Sequence, residues 1–330
     1  MATMDVRSGF ELIRGVKDSF SLSLGELPNG QPILLPVFTV SGKEDGPTIF
    51  INACMHGDET LGADVVRRVI HRLNPETMRG NVVAVPVANM PGQATRTRRN
   101  IMEMYPGPHD MNRIFPAPAD GVLSERLAAI LDTRFSAIAD YIFDLHAASI
   151  GGSWQPYATI PPLDACSDDG VFQRTRDFAI AFGAPLVLVD YLFAGSLVAP
   201  ALKRGGAASM AEFGVANQAN VEDREFGISG VERLLEHIGI TERSLSPAPA
   251  PAPLEITGFA RVRADRGGYL ELAVKIGDDL AEGDLIGVVE DLDRNALEEF
   301  RAPAPGRVCR LNTMGVVGTG DNIAFIGLHR

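Results

Sequence analysis

Apolar positions along the first 245 residues follow two periods. Short apolar runs rich in β-branched residues cover 33–40, 48–55, 81–87, 141–145, 186–191 and 209–213, which predicts buried strands. Between them, apolar residues recur at helical spacing over 61–73, 124–139, 171–182 and 231–238. In the first of these, Val65, Val66, Val69, Ile70 and Leu73 mark one face. Strands alternating with helices predict an α/β fold: a mixed, mainly parallel central sheet flanked by helices.

The pattern breaks at Ser246-Pro-Ala-Pro-Ala-Pro-Ala-Pro253. Alternating proline forbids helix and ladder and favours an extended spacer. The expected organisation is therefore a domain over 1–245, a linker over 246–253 and a second domain over 254–330. In the last part, short β-like segments are punctuated by Gly277, Gly283, Gly287, Gly306, Gly318 and Gly320. This punctuation resembles the small all-β barrel of lipoyl and biotinyl carrier domains, which modify a lysine at a hairpin tip. Lys275 is the one lysine after the linker, and it lies in the Val-Lys-Ile-Gly turn. The segment is read as an unmodified cover or oligomerisation element, with a homo-oligomer as one expected assembly.

Composition narrows the partners. The chain has 330 residues, 22% charged and 45% hydrophobic, with a net charge of −12. That balance argues against nucleic acid or an anionic membrane surface. Cys54, Cys166 and Cys309 are far apart and form no disulfide framework. The first residues lack the apolar core of a signal peptide, and no apolar run approaches the roughly 18 residues of a membrane helix. A cytoplasmic protein acting on a small molecule is the expectation.

The chemistry concentrates at strand ends, where open α/β sheets hold their ligands. His56-Gly-Asp-Glu59 follows the apolar run 48–55 and precedes the first helix. Imidazole and carboxylate three residues apart suit zinc, whose catalytic sites take three protein ligands and a water. His146, at the end of Tyr141-Ile-Phe-Asp-Leu-His146, is the third candidate, and Asp144 alternates to its face. A set of two histidines and a carboxylate also accepts iron or cobalt. In Asp110-Met-Asn112-Arg113-Ile-Phe-Pro116, the arginine fork suits a carboxylate, and Asn112 adds amide donors. Asp110 suits the spare N–H of a metal-bound histidine. Among Arg96, Arg98 and Arg99, one cation would face a developing oxyanion, and Arg99 is selected. Glu212 ends a short strand and is the leading general base, with Asp190 as its competitor. His71, His237 and His329 are read as exposed, His109 as off ligand spacing, and Trp154 as either pocket wall or packing.

Together, His56-x-x-Glu59, Asp110-x-Asn112-Arg113-x-Phe115-Pro116, Asp144-Leu-His146 and Glu212 resemble the succinylglutamate desuccinylase/aspartoacylase family, relatives of the zinc carboxypeptidases. The resemblance covers the whole chain. It implies a zinc carboxypeptidase-like fold and one Zn2+ held by His56, Glu59 and His146. It further implies Asn112 and Arg113 on the substrate α-carboxylate, Glu212 as base, and hydrolysis of the amide of a small N-acyl amino acid. The family's oxyanion arginine lies a few residues before Asp-x-Asn-Arg, while the stretch from Asn100 to His109 is longer than usual here. No second arginine for an acidic acyl group or side chain is evident in the sequence. Two alternatives stand beside this reading: an amidase or carboxypeptidase on peptides, and a catalytically silent binding protein.

Overall fold

The run 48–55 is mostly strand, and its residues leave it in alternation. Ile49, Ile51 and Ala53 enter one core cluster, while Phe50 enters another on the opposite face. In the computed structural model, which describes residues 2–5, 10–104, 107, 109–218, 220–242 and 252–329, both clusters are closed by helices.

In chain order the strands are β1 (Ala2–Asp5), β2 (Lys17–Glu26), β3 (Pro32–Ser41), β4 (Glu44–Ala53), β5 (Arg79–Val85), β6 (Tyr141–Ala148), β7 (Gly152–Thr159), β8 (Leu186–Leu188) and β9 (Ala207–Val215). They continue as β10 (Leu254–Ile256), β11 (Gly258–Arg263), β12 (Gly268–Leu272), β13 (Asp279–Leu280), β14 (Leu285–Glu290), β15 (Ala296–Arg301), β16 (Gly306–Asn312), β17 (Val316–Val317) and β18 (Asn322–Leu328). The α-helices are α1 (Leu61–Arg72), α2 (Met90–Thr95), α3 (Leu123–Ile130), α4 (Asp169–Ala181), α5 (Val198–Lys203) and α6 (Val221–His237). No described helix is long and apolar enough to cross a membrane.

The large sheet runs β1-β2-β3-β5-β4-β6-β9-β7-β16-β18-β11. Strands β8, β10 and β13 attach to it beside β7, β8 and β16. Its centre, β5-β4-β6-β9, is parallel, because α1, α3 and α4 lie on the crossovers between those strands. On either side β3 and β7 pair antiparallel, so the sheet is mixed and its parallel character is central. Helices α1, α4 and α6 cover one face through Val66, Phe178 and Leu234, and α3 and α5 cover the other through Leu127 and Leu202.

Several boundaries differ from the sequence expectations. Helix α6 begins at Val221 instead of 231, capped by Asn220, whose Oδ1 accepts from Glu222 N and Asp223 N. The helix expected over 124–139 is α3 followed by a π turn, Leu131–Phe135, and a 3-10 turn, Ser136–Ile138. The strand expected over 186–191 stops at Leu188, and Asp190 takes a φ of 53°. Strand β2 was not anticipated, although Phe20, Leu22 and Leu24 alternate into the core.

From residue 254 every described element is a strand. Most of the linker 246–253 lies outside the described residues, which resume at 252. The C-terminal strands do not stand apart: β10 pairs parallel with β8, and β16 pairs antiparallel with β7. A second sheet, β15-β14-β12-β17, packs on this extension around Ile286, Phe300, Val308 and Ile326.

Candidate metal centre and substrate pocket

Beyond the end of β4, Cys54 takes a φ of 52°, a left-handed conformation that branched or bulky residues avoid. Its thiol is buried 3.3 Å from the His56 carbonyl, to which it donates. The turn 56–59 then runs into α1. Gly57 is obligatory there, since a Cβ would sit 2.0 Å from the Gly92 carbonyl carbon. The close approach lets the Gly57 N–H donate to Arg98 O at 3.2 Å, tying the turn to the following loop.

His56, Glu59 and His146 are 3%, 1% and 1% exposed, and their candidate ligand atoms lie within 4.8 Å of one another. His56 Nδ1 is 2.8 Å from Glu59 Oε1, and His146 Nδ1 is 2.8 Å from Glu59 Oε2. The opposite ring nitrogens face carboxylates: His56 Nε2 is 2.9 Å from Asp110 Oδ1, and His146 Nε2 is 2.9 Å from Asp144 Oδ2. Donation from both Nε2–H groups leaves both Nδ1 lone pairs turned toward Glu59. Asn52 Nδ2 donates to the other Asp144 oxygen at 2.7 Å. Two imidazole nitrogens and a carboxylate converging in this way fit a divalent cation such as zinc.

The electrostatics agree with that convergence. Burial raises the Glu59 carboxyl, but the two imidazoles outweigh it and hold the group well below the usual carboxylate range. Burial lowers both histidines, yet Asp144 and Glu59 push His146 well above its ordinary value. Glu59 and Asp110 likewise raise His56. Asp110, despite its burial, is held low by its bond to His56 and by Arg98.

The arginine that reaches this cluster is Arg98, not Arg99. Arg98 Nη1 donates to Glu59 Oε1 and to Ser149 Oγ, each at 3.0 Å, and Nη2 donates to Asp110 Oδ2 at 3.1 Å. Its carbonyl is pinned by Gly57 N–H and by Asn89 Nδ2, which fixes the direction of its side chain. Arg99 is exposed, and Arg96 is an exposed left-handed residue closing α2. The loop is a turn and bends with Arg96 left-handed, so neighbouring side chains leave it in different directions and a one-residue choice among three arginines needed the backbone.

Asn112 is buried, with Nδ2 3.1 Å from His146 Nε2 and Oδ1 accepting from Leu197 N at 3.1 Å. Its Nδ2 thus lies against a candidate metal ligand, and because His146 Nε2–H is given to Asp144, the two N–H groups of that amide stay available as donors. Arg113 is exposed, its guanidinium 4.4 Å from the Phe193 ring centre. Glu212 lies on β9 directly beside His146 on β6. Its Oε2 accepts from the Tyr157 hydroxyl at 2.8 Å. Burial and the charge of Glu59 raise its pKa. Asp190 opens into a different cavity, with Phe172 and Arg176. His71, His237 and His329 are exposed.

Glu212 and Arg98 face a pocket of roughly 230 Å³. One wall combines both parts of the chain: Phe259, Arg261, Arg310 and Phe325 of the C-terminal strands adjoin Trp154 and Tyr157. Trp154 stacks with Tyr157, Phe259 and Phe325 at 5.2–5.4 Å. Sequence reasoning assigned no role to Ser149, Tyr157 or Arg310. Only the alternation along β7, which places Tyr157 on the inner face, could have pointed to one of them.

Comparison with known proteins gives the geometry a context. The model of the succinylglutamate desuccinylase/aspartoacylase catalytic domain matches residues 45–238, more than half of the chain and the span that carries every residue of the cluster. A deacetylase of N-alpha-acetyl-L-2,4-diaminobutyric acid from Halomonas elongata is 29% identical over 300 residues, covering 89% of this chain and 85% of that one. A crystal structure of a succinylglutamate desuccinylase/aspartoacylase from Rhodobacter sphaeroides superposes with a TM-score of 0.84 at 25% identity, over 97% of each chain. The ectoine utilization protein EutE (DoeB) of Ruegeria pomeroyi, in a product-bound structure, shares the fold with a TM-score of 0.84 at 22% identity, again over 97% of each chain. The chain belongs to the succinylglutamate desuccinylase/aspartoacylase family.

Proposed function

We propose that this protein is a zinc-dependent deacylase that hydrolyses the amide bond of a small N-acyl amino acid. The observation carrying the proposal is the register of β6 and β9. It sets Glu212 beside His146, so that a carboxylate free of the metal group adjoins the His56, Glu59 and His146 cluster. The deacetylase activity named for the Halomonas relative supports the same reaction class.

His56, Glu59 and His146 would hold the zinc ion. When bound, zinc supplies Lewis acidity toward the amide carbonyl and acidifies a water toward neutral pH. Glu212 takes a proton from the attacking water, and burial together with the charge of Glu59 strengthens it as a base relative to an ordinary carboxylate. Tyr157 holds the Glu212 carboxylate through one oxygen and leaves the other free for that transfer. As the carbonyl oxygen gains charge, Arg98 supplies the cation, in the place first assigned to Arg99. The C–N bond then breaks, and Glu212 returns its proton to the departing amine, leaving a carboxylate and a free amino acid.

Arg113, at the pocket rim and stacked on Phe193, takes the substrate α-carboxylate. Asp110 acts one step back by orienting His56, and Asn112, beside His146, offers amide donors to the same carboxylate. The pocket of roughly 230 Å³, walled in part by C-terminal strands, favours a small substrate over a peptide.

The decisive experiment is amine release from a panel of N-acyl amino acids by zinc-reconstituted protein, beside Glu212→Gln. Release by the wild type and loss in the variant, with zinc content unchanged, is the expected result. Release from peptides alone would move the reading to an amidase. No release at all, with no zinc retained, would favour a binding protein.

A further inference from the structure

A second cavity, of roughly 330 Å³, lies along the junction of β8 and β10. Its floor is apolar, made by Ile160, Phe172, Val189 and Leu254, and its charged groups are Arg176, Asp190 and Glu255. Arg176 Nη2 donates to Glu255 Oε1 at 3.1 Å, so those two charges answer each other. Asp190 is the remaining charge, and its carboxylate has no hydrogen bond or ion pair with any described residue. Arg176 comes from α4 and Glu255 from β10, so the cavity is completed by the C-terminal strands. Nothing in the proposed reaction uses it, and cavities of this size hold small molecules.

The segment 188–191 serves both cavities. Val189 and Asp190 line the second one, whereas Leu188 and Tyr191 line the substrate pocket. The change of side falls at Asp190, whose φ of 53° is left-handed, a conformation that aspartate and asparagine tolerate better than most residues. Tyr191 N–H donates to Ile160 O at 3.1 Å, which ties the segment to the cavity floor. The Tyr191 ring packs edge to face on Phe193 at 4.7 Å, and the Arg113 guanidinium lies 4.4 Å from the Phe193 ring centre. A contiguous packed chain therefore runs from Asp190 to the arginine assigned to the substrate α-carboxylate.

We infer that this cavity is a second ligand site, for a small organic cation with one ammonium on an apolar body, and that its occupancy is felt at Arg113 through Tyr191 and Phe193. Asp190 receives the ammonium, and the apolar floor takes the body. An anion would meet Asp190 and Glu255, and a neutral molecule would leave Asp190 unmatched. A ligand that holds 188–191 in place orders Phe193 and Arg113 in advance of the substrate, which lowers KM and leaves kcat alone. The coupling rests on the deacylase reading; the binding site does not.

The first arm is calorimetry of zinc-loaded full-length protein with phenethylammonium as the probe. Salt at about 0.15 M screens diffuse attraction to the net charge of −12. The wild type should bind with a Kd below about 1 mM, and Asp190→Asn should weaken binding by about 10-fold or more. Asparagine accepts the left-handed backbone, so this variant keeps the local geometry. Leu254→Trp, which fills the cavity from its floor, is the second variant and should abolish binding. 2-Phenylethanol lacks the charge and phenylalanine adds a carboxylate, so each should bind more weakly than phenethylammonium. Equal affinity in wild type and Asp190→Asn, or a control that binds as tightly as the cation, would overturn the site.

The second arm is turnover of the best N-acyl amino acid. Saturating phenethylammonium should lower KM by about 5-fold and leave kcat within about 2-fold. Phe193→Ala should bind the cation as the wild type does and lose that response. Without the cation, Asp190→Asn should keep kcat/KM within about 3-fold of wild type, since it lies outside the substrate pocket. A KM that does not move, or one raised alike in wild type and Asp190→Asn by competition at the substrate pocket, would overturn the coupling. If no amide is turned over, the deacylase reading fails, and calorimetry alone decides the cavity.

Discussion

At the scale of single residues, the cluster makes a prediction about protons. His146 and His56 are raised by their carboxylate neighbours, so in metal-free protein both hold a proton to higher pH than a free imidazole does, and a metal must displace it. Metal uptake should therefore release protons, and zinc affinity should rise as pH increases through the range above about 6. Chelator competition at pH 6 and pH 8 measures this; affinity independent of pH would contradict it. Arg98→Met should lower kcat by about 100-fold or more, and Arg99→Met should leave it nearly unchanged. Equal effects from the two would return the oxyanion role to an open choice among the arginines. The candidate ligands were legible in the sequence because a strand-end turn and a period of two are local. The arginine was not, because its direction depends on Gly57 and Asn89 gripping the Arg98 carbonyl.

At the scale of elements, α6 illustrates what apolar periodicity misses. Its start, Val221-Glu-Asp-Arg-Glu, is acidic and largely solvent-facing, so apolar periodicity picks out only the later turns as a core helix. The start is set by Asn220, which caps two backbone N–H groups. Asn220→Ala should cost about 1 kcal/mol, seen as a lower denaturant midpoint at unchanged slope. The π turn Leu131–Phe135 has a similar lesson: it keeps Phe135 buried against Phe50 and Phe10 by a change of period that residue types do not announce. Phe143, fully buried on β6 between Phe178 and Phe182, anchors the strand that carries His146. Phe143→Ala should cost about 3–5 kcal/mol by melting or denaturant titration.

At the scale of the whole molecule, the composition break at the linker divides the chain into two parts, and the large sheet crosses from one part to the other. Pairing of β16 with β7 and of β10 with β8 makes the edge of the first part the interior of a longer sheet. Calorimetry of the full chain should accordingly show one cooperative transition. Two well-separated transitions would mean that the sheet junction contributes little. Chain ending at residue 242 should lose solubility, because it uncovers β7 and the ring cluster around Trp154.

The sequence alone determined the α/β alternation, the all-β character after residue 254, the metal-ligand candidates and the family resemblance. These rest on patterns within one strand, one turn or one short motif, where spacing translates directly into geometry. The tertiary structure alone decided which arginine enters the site, that Asn112 lies against a histidine, that Tyr157 holds Glu212, and that Arg310 shares the pocket. Each of these depends on contacts between segments far apart in the chain, through strand pairings that set which side chains meet. Periodicity carries no information about such partners, since it describes which face a residue takes and not what stands opposite.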